Sequence, residues 1–283
     1  MKKKVAYQGV QGAYSHLACY NQFPNYEAIA CKSFDDTMYL VEEGVADIAM
    51  IPMENSTAGR VEEIYRLIPK MKLHIIDEYY QPVNHCLLAL PNTKIEDLKS
   101  VSSHPQALAQ CKNHIEEYKL DARAKFDTAG SAEELVNMQD TTHSAIASSL
   151  AAEIYDLEIL KEGFQDLKNN TTRFLILSKE HIVPAFDAKK KYITSILFEV
   201  RNIPAALYKV LGGFATNSVN IIKIESYSGS GTLTLSQFHI DIDGHPDEAN
   251  VQLALEELAY FANTVKMLGT YIPHCMRENL LKS

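Results

Sequence analysis

The run Asn169-Asn170-Thr171-Thr172-Arg173-Phe174 sets a hydroxyl beside a guanidinium, at the mouth of the apolar stretch Phe174 to Leu177. A hydroxyl placed there can offer a proton to a departing group, and an arginine can grip a carboxylate at two points. The plainer reading is a threonine entering a strand beside a surface arginine, and taken alone the run fits that reading better. A second cluster, Pro52-Met53-Glu54-Asn55-Ser56-Thr57, joins a carboxylate, an amide and two hydroxyls. Glu54 in it could act as acid or base, or simply orient its loop.

Four junctions carry small and hydroxyl residues where an apolar run gives way to a helical pattern. They are Gly12-Ala13-Tyr14-Ser15-His16, Asn55-Ser56-Thr57-Ala58-Gly59, Ser102-Ser103-His104-Pro105-Gln106 and Thr128-Ala129-Gly130-Ser131. A helix N-terminus presents unpaired N–H groups and the positive end of its dipole, and small residues let an anion come close. Each junction alone reads as plain N-capping, whereas several at the carboxyl ends of strands would form an anion-binding cleft. His104 could bond a ligand or fix its turn. His16 reads as structural, Cys19, Cys31 and Cys111 as packing residues, and Glu225 and Asp241 as surface carboxylates.

Positioning these groups falls to short apolar runs that alternate with helix-period segments up to about residue 178. Val5 to Tyr7 leads into Ala13 to Phe23, Ala28 to Ala30 into Phe34 to Glu43, and Asp47 to Ile51 into Thr57 to Ile68. A second series has Cys86 to Leu90, then Val101 before Pro105 to Tyr118. Ala122 to Phe126 precedes Ser131 to Met138, and Ala145 to Ala147 precedes Leu150 to Tyr155. The alternation predicts two parallel α/β layers, divided near Tyr80–Asn84, with Arg173 to Leu177 as a late strand. Lys179 to Lys191 reads as a linker.

Beyond the linker the pattern changes. Ile193 to Val200, Val219 to Tyr227, Leu233 to Ile242 and Thr264 to Tyr271 read as strands, and Pro204 to Ala215 and Pro246 to Phe261 as helices. Ser228-Gly229-Ser230-Gly231 reads as a turn. The order is β-α-β-β-α-β, a ferredoxin-like arrangement.

The composition narrows the partners. A net charge of −9 over 283 residues argues against nucleic acid, which needs a basic face. No stretch approaches the ~20 apolar residues of a membrane span, and nothing reads as a signal peptide, so the cytoplasm is the expected compartment. The five cysteines form no C-x-x-C pair and the ten histidines no zinc-type cluster. Phosphate-loop and dinucleotide fingerprints are missing too, so the chemistry is expected to need no metal and no cofactor. An anionic substrate would be held by local dipoles and a few placed cations, against the overall charge.

Taken in order, the motifs resemble the prephenate dehydratase family. They are Gln8-Gly9 through His16, Pro52-Met53-Glu54-Asn55-Ser56-Thr57-Ala58-Gly59, Ser103-His104-Pro105-Gln106-Ala107-Leu108-Ala109-Gln110-Cys111, Asp127-Thr128-Ala129-Gly130-Ser131-Ala132 and Asn170-Thr171-Thr172-Arg173-Phe174. The resemblance implies a two-lobed α/β catalytic region, periplasmic-binding-protein-like, over 1–180, with prephenate held between the lobes. It implies Thr172 as the catalytic hydroxyl. Ser15, Glu54, Asn55, Ser56, Thr57, His104, Gln106, Thr128, Ser131, Asn170, Arg173 and Phe174 are the implied substrate-binding residues, with Arg173 on a carboxylate. Arogenate dehydratase and a non-catalytic anion-binding regulator are the competing readings.

A linker over 181–192 then precedes residues 193–272, which resemble an ACT regulatory domain, with 273–283 as a tail. In this family such a domain binds phenylalanine, which implies Pro204, Ala205, Ala206, Leu207, Glu225 and Ser226 as effector residues. Two departures stand out: Ala205 replaces the usual glycine, and Glu225-Ser226-Tyr227-Ser228 replaces E-S-R-P. A homodimer or homotetramer is the implied assembly.

Overall fold

The computed structural model describes residues 2–228 and 236–280. Along the chain run β1 (Lys4–Gln8), α1 (Tyr14–Gln22), β2 (Glu27–Cys31), α2 (Phe34–Glu42), β3 (Ile48–Asn55), β4 (Gly59–Arg60), α3 (Glu62–Leu67) and β5 (His74–Pro82). Next come β6 (Cys86–Ala89), β7 (Ser100–Ser103), α4 (Pro105–Gln110), α5 (Lys112–Glu117), β8 (Asp121–Ala124), α6 (Thr128–Met138), β9 (His143–Ala147), α7 (Ser149–Ile154), β10 (Glu158–Lys161) and β11 (Thr171–Ser178). The last group is β12 (Ile193–Val200), α8 (Ala206–Thr216), β13 (Ile221–Ser228), β14 (Ser236–Asp243), α9 (Ala249–Phe261), β15 (Ala262–Tyr271) and α10 (Cys275–Leu280). Of the expected turn and following strand, Gly229 to Gly231, Leu233 and Leu235 lie outside the described residues.

The chain divides into two compact units, one of Met1–Val61 and Tyr79–Phe174, the other of Glu62–Glu78 and Leu175–Ser283. Residues 62–78 therefore group with the C-terminal part, where the sequence reading placed one catalytic region over 1–180.

In the first unit, β1 pairs in parallel with β2 and with β3, and β4 folds back antiparallel onto β3. The full order of that sheet is β2-β1-β3-β11-β5. A second sheet runs β10-β6-β9-β7-β8. The parallel expectation holds for β7 with β8 and β9, but β6 is antiparallel to both β9 and β10. The reason is the connection: a parallel neighbour needs a long crossover, usually a helix, and only a single 3-10 turn lies between β6 and β7. Helices cover both faces at β6, so that strand reads as an unbroken apolar run. Cys86 and Leu88 pack on one face with Ala132, Leu135 and Ala151. Leu87 and Ala89 pack on the other with Ala107, Ile115 and Phe164.

Two expected helices are shorter. The helix foreseen over Thr57 to Ile68 begins at Glu62, because 56–60 form a turn and the short hairpin strand β4. That foreseen over Pro105 to Tyr118 breaks into α4 and α5 at Cys111. Cys19, Cys31, Cys86 and Cys111 are buried, and burial pushes each thiol above its ordinary pKa, Cys86 to about 11.

In the second unit, β13-β14-β12-β15 form an antiparallel sheet in the β-α-β-β-α-β order. Ile196, Phe198, Phe238, Ile240 and Ile242 meet Val210 and Phe214 of α8 and Val251, Ala254 and Leu258 of α9. On the opposite face Ser195, His239 and Asp241 are buried together, with the Ser195 hydroxyl 2.7 Å from His239 Nε2 and 2.5 Å from Asp241 Oδ1. Asp241 is thus a buried carboxylate, contrary to the surface role expected, because the second sheet face is covered as well. The segment read as a linker is tied down: Tyr192 Oη donates to the Ala185 carbonyl, and His245 Nε2 lies 2.9 Å from that of Pro184.

Candidate active site

A cavity of about 470 Å³ in the first unit gathers groups from six stretches of chain. Tyr14 comes from α1, Asn55 and Arg60 from the β3–β4 hairpin, and His85 from the approach to β6. His104 caps α4, which supplies Gln106 and Gln110; Asp127 and Thr128 come from the start of α6, Asn170 just precedes β11, and Thr172 lies on it.

Residues at the starts of α4 and α6 line this space. The His104 ring accepts from the Gln106 N–H at 3.2 Å, and the Asp127 carboxylate accepts from the Gly130 N–H at 2.5 Å. Each caps its helix, and the positive end of a helix dipole suits an anion. Among the described lining residues Arg60 is the one arginine or lysine.

Hydrogen bonds knit the wall. Asn55 Oδ1 accepts from the Thr57 and Ala58 N–H groups at 3.0 and 2.9 Å and from the Thr57 hydroxyl at 2.7 Å. Asn55 Nδ2 donates to Asn170 Oδ1 at 2.6 Å and to Thr172 Oγ1 at 2.9 Å. The Ser56 hydroxyl donates to the Asn169 carbonyl and accepts from the Thr171 N–H, at 2.8 and 3.0 Å, so it clamps the hairpin onto β11. Gln110 links the two layers: its Nε2 donates to Thr57 Oγ1, and its Oε1 accepts from Asn170 Nδ2, each at 2.9 Å. Burial lowers the pKa of His85 and raises that of Tyr14 well above its usual value.

Thr172, Asn55, Asn170, His104, Gln106 and Thr128 thus meet as expected, and Thr57 joins them through Gln110. Ser56 braces the wall without lining the cavity, and five residues stand elsewhere. Successive side chains of a strand point to opposite faces, so Arg173 cannot share the Thr172 side of β11. Arg173 is instead 4% exposed and donates to Glu54 Oε1 at 3.0 Å, and Glu54 is not among the residues that line the cavity. Phe174 is buried in the core. The Ser131 hydroxyl is buried and donates to the Asp127 carbonyl within its own helix, at 2.8 Å. Ser15 sits half-buried on α1, outside the cavity lining.

Tyr14, His85, Gln110, Arg60 and Asp127 were not singled out. Gln110 had a signal, since it lies four residues from Gln106 and so on the same helix face. His85 had none; folding alone brings it to the site.

Among the described residues no group of three or more His, Cys, Asp and Glu side chains is placed to hold a metal ion, and no described helix is long and apolar enough to cross a membrane. Of the expected effector residues, Pro204 and Ala205 precede α8, Ala206 and Leu207 begin it, and Glu225 and Ser226 lie on β13.

The chain matches the family model described as prephenate dehydratase over residues 5–182. It is 42% identical over 269 residues to a bifunctional N-acyl-homoserine lactone acylase/prephenate dehydratase of Komagataeibacter europaeus, covering 94% of this chain and 95% of that protein. It is 39% identical over 284 residues to arogenate dehydratase/prephenate dehydratase 1, chloroplastic, of Arabidopsis thaliana, covering 95% and 72%. Among solved structures, the quorum-quenching acylase GqqA superposes with a TM-score of 0.91 at 40% identity, covering 97% of this chain and 100% of that one. A prephenate dehydratase of Arthrobacter aurescens in complex with L-Phe superposes with a TM-score of 0.85 at 30% identity, covering 95% and 89%.

Proposed function

The chain belongs to the prephenate dehydratase family, and on that premise we propose that it turns prephenate into phenylpyruvate, carbon dioxide and water in phenylalanine biosynthesis. In this reaction the bond to the ring carboxylate breaks and its electron pair enters the ring. The ring C–O bond breaks in turn, and the departing hydroxide takes up a proton to become water. The ring becomes aromatic, so the protein has only to hold a dianion and ease the departure of the hydroxyl. The observation that carries the reading is Thr172 at the cavity wall, its oxygen already accepting from Asn55, so that its own hydrogen is available to the leaving hydroxyl. The starts of α4 and α6 with Arg60 supply the positive field for the carboxylates, and Asn55, Asn170, His104, Gln106 and Thr128 supply donors.

Residues 193–272 form, in this reading, an ACT domain that senses phenylalanine, supported by the β-α-β-β-α-β order and by the L-Phe complex of the Arthrobacter relative. The active assembly is a homodimer or homotetramer. The test is phenylpyruvate formation from prephenate by metal-free protein, with and without phenylalanine, for the wild type and Thr172→Ala. Turnover that phenylalanine suppresses, and that Thr172→Ala loses while still binding prephenate, supports the reading; equal turnover by the variant overturns the role of Thr172.

The Arabidopsis relative carries both dehydratase names, so kcat/KM for arogenate decides the preferred substrate. The Komagataeibacter relative, matched over nearly its whole length, favours assaying an N-acyl-homoserine lactone as well, with release of the free amine as the readout.

A further inference from the structure

Two backbone amides settle the direction of the hydrogen bonds around the cavity. The N–H groups of Thr57 and Ala58 can only donate, and both point at one Asn55 side-chain atom, which is therefore its oxygen. The other end of Asn55 is its NH2, which donates to Asn170 and to Thr172 Oγ1. The Asn170 atom it meets must accept, so the opposite Asn170 amide nitrogen donates to Gln110. Gln110 must then present its oxygen there, and His85 Nε2 lies 2.8 Å from that same oxygen. An amide oxygen brings no hydrogen, so the ring nitrogen carries it.

Neutral His85 is left with a bare Nδ1, and the Tyr14 hydroxyl stands 2.7 Å from it, nearer than the Asn84 carbonyl at 3.0 Å. Burial keeps this histidine on the neutral side. Its own N–H is held by Gln165 Oε1 at 2.8 Å, which fixes the backbone beneath the ring. Every donation then runs one way: Tyr14 to His85, His85 to Gln110, Gln110 to Thr57, Thr57 to Asn55 and Asn55 to Thr172. Bonds aligned in one sense polarise one another.

We infer that Tyr14 and His85 are positioning residues: they hold the far end of this chain, whose sense the two backbone amides set, and so keep Gln110, Thr57 and Asn55 in the arrangement that leaves the Thr172 hydrogen for the cavity. Tyr14 on α1 and His85 before β6 stand 71 residues apart in sequence, and neither has to touch substrate to act. The inference rests on the dehydratase reading for its kinetic arm only.

The first measurement needs no substrate. In 15N-labelled wild-type protein near neutral pH, the His85 ring, assigned by its loss in His85→Gln, should carry hydrogen on Nε2 and none on Nδ1. A hydrogen on Nδ1 in place of Nε2 would leave two acceptors facing each other at Gln110, detach His85 from the chain and overturn the inference, whether or not the protein turns over prephenate. The second measurement compares prephenate turnover by wild type, Tyr14→Phe, His85→Gln and His85→Leu. Losing one aligned bond should lower kcat about tenfold with KM within about twofold. His85→Gln, which can still donate to Gln110, should retain more kcat than His85→Leu. Unchanged kcat in Tyr14→Phe and in His85→Leu would reject the positioning role, and absent wild-type turnover would reject the dehydratase reading instead.

Discussion

Asn55 holds its place through contacts that need both halves of an amide: the oxygen takes two backbone N–H groups, and the nitrogen gives to Asn170 and Thr172. Aspartate keeps the first pair and turns the second into oxygen facing oxygen. Asn55→Asp should therefore fold normally yet lose about 100-fold or more in kcat, the scale of removing one preorganised donor. Steady-state kinetics beside a thermal melt checks this; a kcat within threefold of wild type would detach Asn55 from the chemistry. Much at this scale was legible in the sequence, because Asn55, Asn170 and Thr172 stand in compact polar motifs at strand ends. Arg173 misled for a geometric reason: adjacency in sequence is opposition in a strand. The motif puts Thr172 and Arg173 side by side, and the pleat sends one to the cavity and the other to Glu54.

The alternation of apolar runs with helical segments located most strands and helices, since each run is buried on two faces or one. What it missed lacks that contrast. β10 is four residues long and half exposed, and β5 mixes Asp77, Glu78 and Gln81 into its apolar residues. The start of α8 differs from expectation because Ala205 has φ 58°, a left-handed conformation, so the helix begins at Ala206 and not at Pro204. A Cβ makes that conformation cost roughly 1–2 kcal/mol, partly offset in any glycine variant by a more flexible unfolded chain. Ala205→Gly should therefore stabilise the protein by about 0.5–1 kcal/mol, read as a higher denaturation midpoint at unchanged slope; a lower midpoint would show that the methyl packs usefully. On β15 the opposite holds. A Cβ at Gly269 would fall on the Ile75 carbonyl, a backbone atom that cannot swing aside. Gly269→Ala should destabilise by about 2 kcal/mol or more, and a midpoint equal to wild type would contradict the close approach.

At the scale of the whole chain, the backbone passes between the two units at Val61/Glu62, Glu78/Tyr79 and Phe174/Leu175. Val61 and Val83, which flank the 62–78 stretch, belong to the first unit and line its cavity. This arrangement was not legible in the sequence, where 62–78 reads as part of the first layer. Buried titratable groups couple the whole molecule to pH. His16, His74, His85, His143 and His274 all have their pKa lowered by burial. His143 is buried with both ring nitrogens against serine hydroxyls, Ser100 at 2.6 Å and Ser102 at 3.0 Å, so a second ring hydrogen would displace a serine hydrogen that then needs a new acceptor. Each of these histidines takes a proton more readily unfolded than folded. Their contribution to stability is complete above the unfolded value of about 6.5 and drains away below it, by at most about 1.4 kcal/mol per pH unit for each proton. Asp77 works the other way: burial raises its carboxyl to about 6, so the folded state gains one proton from there downward. One carboxyl set against five histidines leaves the loss dominant. Denaturant midpoints at constant ionic strength should be level from pH 7 to 8 and fall steadily from about pH 6.5 to 5.5; a midpoint that held or rose over that interval would show that the buried imidazoles are not what the acid limb titrates.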